Sequence, residues 1–119
     1  MQYLLLIYGN EKTWADMSQD DQMRAFGEYM DFTRGIKESG HYLGGEALQP
    51  ISTATTVRKS AGKTLTTDGP FAETKEQLGG YFLVEAKDLD EATAIAARIP
   101  EVNYGGAIEV RPIMPTPKV

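Results

Sequence analysis

Asp68 stands at the corner of the run Thr67-Asp68-Gly69-Pro70-Phe71-Ala72-Glu73-Thr74-Lys75-Glu76, which leads into Leu78-Gly79-Gly80-Tyr81-Phe82. A carboxylate held in a shaped loop can take a proton as a general base or hold a polar ligand. The same side chain can instead form an Asx-turn that caps the segment beyond Pro70. Proline fixes its own φ and keeps Gly69 out of the helical region, so the chain leaves its strand near Thr67. The loop is expected to be ordered, with Phe71 packed inward and Asp68 at the mouth of a cleft near Tyr81.

Arg58 offers a planar guanidinium that can grip an anionic group through two parallel hydrogen bonds, or pair with a surface carboxylate. Tyr8 and Tyr81 combine an apolar ring with a polar tip, which suits a pocket wall or a subunit seam. Glu85, Glu109 and Arg111 share strand parity with Tyr81. Either glutamate can serve as a pocket acid, or Arg111 can pair with a glutamate across a seam. His41 is the only histidine and follows a helix end, where a surface role is expected.

The residue inventory excludes much chemistry. With no cysteine there is no disulfide, thiolate nucleophile or thiolate metal site. One histidine and scattered carboxylates make no metal-ligand spacing. No phosphate loop, nucleotide fingerprint or Ser-His-Asp arrangement is present. No metal and no cofactor are therefore expected.

These residues must be positioned by a chain of 119 residues, enough for one domain with a real core. The net charge of −5 (12 basic against 17 acidic) and the dispersal of the basic residues argue against direct nucleic-acid binding. No apolar stretch approaches the ~20 residues of a membrane span. The segment from Met1 to Tyr8 lacks a basic signal-peptide leader, so a cytoplasmic location is expected.

Residues 2–8 read as a buried strand and 9–17 as a polar loop carrying the single tryptophan, Trp14. Ser18 caps a helix whose apolar stripe is Ala25, Phe26, Tyr29, Met30, Phe32 and Ile36, stopped by Gly40. A short extended segment bends at Gly44-Gly45. Residues 53–58 and 63–67 read as a hairpin. A strand over 79–86, a helix capped by Asp88 and ended by Pro100, and a strand over 107–112 complete a single domain of residues 1–114. Residues 115–119 read as a frayed tail.

The order β-α-β(β)-β-α-β, with right-handed crossovers, predicts an α+β, ferredoxin-like antiparallel sheet with two helices on one face. The other face keeps Leu and Tyr side chains, more apolar surface than a monomer usually exposes. A homodimer through the helix-free faces is expected, with Leu5 and Leu83 at its centre and Glu85, Glu109 and Arg111 in the seam.

The strand Tyr3–Tyr8, Gly44-Gly45, Ala54–Arg58, Asp68-Gly69-Pro70-Phe71, Gly79-Gly80-Tyr81-Phe82 and Ile108–Pro112 together resemble the YCII-related, DGPF-domain family. The resemblance implies a dimeric α+β barrel in bacterial proteins, often encoded beside extracytoplasmic-function sigma factors. The wider group carries a histidine and aspartate proposed as an active site. Its histidine falls near Tyr29, where this chain has no histidine. Two functions follow. One is a small-molecule-binding or accessory regulatory module, with Arg58, Tyr81, Tyr8 and Tyr29 as ligand-binding residues and a protein partner in any transcriptional role. The other is a small cofactor-free enzyme using Asp68 as acid or base in a cleft between sheet and helices.

Overall fold

A computed structural model describes residues 1–117. The strands are β1 (Gln2–Gly9), β2 (Tyr42–Ala47), β3 (Thr55–Ser60), β4 (Lys63–Asp68), β5 (Gln77–Glu85) and β6 (Ala107–Pro112). The helices are α1 (Glu11–Ala15), α2 (Gln19–Glu38) and α3 (Leu89–Ala96). Short 3-10 turns lie at Ile51–Thr53 and Pro100–Tyr104. The expected tail falls partly outside the described residues, at 118 and 119.

The main sheet is antiparallel in the order β2-β5-β1-β6. That is the ferredoxin-like order, and it follows from the two crossovers through α2 and α3. Both helices have the caps their sequences call for. Ser18 Oγ accepts from the Asp21 N–H and Asp88 Oδ1 from the Glu91 N–H. Gly40 follows α2 with φ of 81°, a left-handed conformation natural to glycine.

Strand parity decides what is core. Tyr3, Leu5 and Ile7 of β1 and Phe82 and Val84 of β5 turn toward the helices and pack with Phe32, Ile36, Ala92, Ile95 and Ile99. Phe82 anchors this layer, edge-on to Phe32 at 5.1 Å between centroids. Leu5 is 0% exposed in that core, which corrects its expected place in a subunit seam. The physical reason lies in the register: Leu5 stands opposite Phe82, whereas Leu83 stands opposite Leu4.

Leu4, Leu6, Tyr8 and Leu83 share the opposite parity and lie on the helix-free face. The charges expected in a seam have partners within the chain. Glu85 accepts from the terminal amine of Met1 at 3.0 Å, and Arg111 Nε lies 4.0 Å from Glu109. All these charged side chains are more than half exposed.

The β3–β4 hairpin forms a separate two-stranded sheet, and all its strand residues except Thr56 are exposed. The radius of gyration is 16.5 Å, against about 13–14 Å for a compact chain of this length. No helix among the described residues is long and apolar enough to cross a membrane.

Candidate functional site

A cleft of about 1160 Å³ opens between α1, α2 and the sheet. α1 occupies the segment expected to be a loop. Asn10 Oδ1 caps it by accepting from the Lys12 N–H at 2.9 Å. Three further hydrogen bonds fasten it over the cleft. The Glu11 N–H donates to Gln77 Oε1 of β5 at 3.0 Å, and the Ile51 N–H donates to Glu11 Oε2 at 2.9 Å. Gln22 of α2 donates to the Trp14 carbonyl at 2.9 Å.

The apolar stripe of α2 divides. Ala25, Phe32 and Ile36 enter the core, whereas Phe26 and Met30 remain more than half exposed and line the cleft with Trp14, Tyr29 and Tyr42. Three large apolar side chains left in solvent on one concave surface mark a binding wall rather than scattered surface residues.

Glu101 supplies a carboxylate to this apolar wall. It sits in the Pro100–Tyr104 turn, which Tyr104 ties to α2 by donating from its hydroxyl to Glu28. The Glu101 side chain lies against the backbone of Gly9 and Gly106, and a Cβ on either glycine would fall inside contact distance of it. Among the described residues the carboxylate makes no ion pair and no side-chain hydrogen bond. Burial, and secondarily the negative charge of Glu76, raise its pKa above the ordinary glutamate value. Tyr29 lies beside it. Burial and the Glu101 charge push the Tyr29 pKa up, while the approach of the Glu101 backbone N–H offsets part of that rise. Tyr29 is thus held as a neutral phenol beside a carboxylate with raised proton affinity.

Of the residues expected to bind or react, Tyr29 and Tyr81 line the cleft, and Tyr8, Arg58 and Asp68 do not. Asp68 ends β4 opposite Thr55, exposed and without a side-chain hydrogen bond. The turn is held instead by the Gly69 N–H to the Ala54 carbonyl at 2.7 Å and by Thr56 Oγ1 to the Gly69 carbonyl at 2.8 Å. Phe71 is 75% exposed rather than packed inward, with the Arg58 guanidinium 4.8 Å from its ring centroid. The hairpin carries this loop away from the core, so no wall is there to receive the ring.

His41 is more than a surface residue. Its Nδ1 is 2.6 Å from Ser39 Oγ and its Nε2 3.2 Å from Glu91 Oε1, linking the end of α2 to the start of α3. Nothing in the sequence singles out Glu101, because a short 3-10 turn has no periodicity to read. The available signal was the glycine pair Gly105-Gly106 beside it, which leaves room for a side chain to fold over the backbone.

The model of the YCII-related domain matches residues 1–117. An uncharacterized protein, R00369, of Rhizobium meliloti (strain 1021) is 38% identical over 114 residues, covering 95% of this chain and 92% of that protein. Among solved structures, 5-chloro-2-hydroxyhydroquinone dehydrochlorinase from Burkholderia phenoliruptrix AC1100, in complex with 2,5-dihydroxybenzoquinone, is similar in fold. It superposes with a TM-score of 0.56 at 14% identity, covering 96% of this chain and 94% of its own. The chain belongs to the YCII-related domain family.

Proposed function

We propose that this YCII-related protein binds a small, largely apolar molecule with a planar ring in the cleft between α1, α2 and the sheet. The observation that carries this reading is the shared exposure of Trp14, Phe26 and Met30 on one concave wall around Tyr29. Aromatic and thioether side chains offer stacking and adaptable contact to a flat ligand. A protein of the same fold holds a ring compound, so the architecture accommodates such ligands. The working form is a homodimer joined through Leu4, Leu6 and Leu83, which leaves the cleft on the helix side free to take its ligand.

The test uses Trp14, the only tryptophan, as a reporter built into the cleft wall. Titration with anilinonaphthalene sulfonate and with neutral naphthol is expected to change its emission saturably. Phe26→Ala and Met30→Ala are expected to weaken that binding by about tenfold, the equivalent of ~1.4 kcal/mol. No saturable change with either probe overturns the reading.

A further inference from the structure

Resting on that binding reading, we propose that the cleft is a proton-transfer site for a ring-bearing ketone, with Glu101 the base and Tyr29 the hydroxyl donor. Glu101 has the placement this chemistry needs. Its carboxylate is seated against the backbone of Gly9 and Gly106, lines the cleft, and makes no ion pair among the described residues. A carboxylate neutralised by a cation loses basicity; this one is not so neutralised. Its burial and the nearby Glu76 raise its affinity for a proton, which brings it closer to the pH at which a base and its conjugate acid both serve. Tyr29, held neutral, keeps the hydrogen it must donate. A base beside a neutral donor in an apolar cavity is suited to a substrate that becomes an oxyanion when it loses a proton from carbon.

The step balances without a further reactant. The Glu101 carboxylate takes a proton from the carbon next to the ligand carbonyl, and the C–H electron pair forms a C=C bond. The carbonyl π pair moves to oxygen, giving an enolate whose charge accepts a hydrogen bond from Tyr29. The protonated Glu101 either trades its proton with solvent and delivers the new one to the same carbon, or passes its proton to the far end of a conjugated system. The first outcome is exchange and the second isomerisation. Nothing is oxidised or reduced.

The experiment is deuterium uptake by β-tetralone in heavy water, followed by proton NMR, with Trp14 emission recording occupancy in the same samples. Wild-type protein is expected to saturate with the ketone and to speed exchange at its benzylic α-carbon above the buffer rate. Glu101→Gln is expected to keep the Trp14 response and lose about a hundredfold in the protein-catalysed rate. Tyr29→Phe is expected to lose about tenfold or more while still binding. Saturation without faster exchange, or an unchanged rate in Glu101→Gln, overturns proton transfer and leaves the binding reading standing. Absence of any Trp14 response to β-tetralone overturns proton transfer. If both fluorescence probes fail as well, the binding reading falls with it.

Discussion

Glu101 lies across Gly9, so close that a methyl group on that glycine would collide with its carboxylate. Two chain segments far apart in sequence, the end of β1 and the turn after α3, are thereby shaped around one side chain. The conflict at Gly9 involves only the flexible end of Glu101. Gly9→Ala is therefore expected to keep the fold and displace the carboxylate, shifting the melting temperature little. At Gly106 an added Cβ also meets the carbonyl oxygen of Tyr8, which is backbone and cannot swing aside. Gly106→Ala is expected to cost about 1–3 kcal/mol. Urea unfolding of the two variants checks this, and equal costs would mean that Glu101 is not what fills the space.

Two glutamates give opposite signs of pH dependence. Glu101 has a raised pKa, so its contribution to stability is fully present below the unfolded value and is lost as pH rises through the folded one. Glu101→Gln should gain on wild type as pH rises from about 4 toward 7. The titratable groups coupled to it are Glu76 and Tyr29. Glu91 is the reverse case. The Lys87 backbone N–H, and then His41, lower its pKa, so its contribution is present above the unfolded value and disappears as pH falls through the lowered one. Glu91→Gln should therefore be less stable than wild type at neutral pH and match it in acid. Unfolding of both variants across that range reads the two slopes, and parallel slopes would contradict the assignment.

Leu83 and Leu5 separate assembly from folding. Leu83→Asp places a charge on the helix-free face and is expected to leave a folded chain that sediments as a monomer at micromolar concentration. Leu5→Asp buries a charge without a partner in the core and is expected to unfold the chain. Circular dichroism and sedimentation together distinguish these outcomes. A Leu83→Asp protein that remains a dimer would move the interface off this face.

Much of the fold was legible because local signals agreed with global pattern. Ser18 and Asp88 announced their helices, and Gly40 its helix end. The β3–β4 hairpin was evident from its β-branched runs. β1 misled for a physical reason: Leu4, Leu5 and Leu6 are apolar on both faces, so only the register against Phe82 and Leu83 assigns Leu5 to the core. The site was less legible. α1 has five residues, too few to show a period, and Glu101 lies in a turn. The α2 stripe is legible as apolar, but sequence does not divide it into Phe32 and Ile36 for the core and Phe26 and Met30 for the cleft.

Order in the Asp68 loop rests on Gly69 more than on the carboxylate. Exposed and with no hydrogen bond to its side chain, Asp68 neither caps the turn nor holds a charged partner. Asp68→Asn and Asp68→Ala are both expected to change stability by less than about 0.5 kcal/mol, the ordinary range for an exposed site. Gly69 instead has φ of 106°, a conformation that L side chains rarely adopt, and its N–H and carbonyl both tie the loop to β3. Gly69→Ala should strain the turn by about 1–3 kcal/mol. A two-stranded hairpin has little stability of its own, so that strain should melt the arm locally before the core. Amide hydrogen exchange reads this directly: protection in β3 and β4 should fall in Gly69→Ala while β1 and β5 stay protected. If Asp68→Ala loosens the arm as much as Gly69→Ala does, the carboxylate has a structural role that the observed hydrogen bonds do not account for.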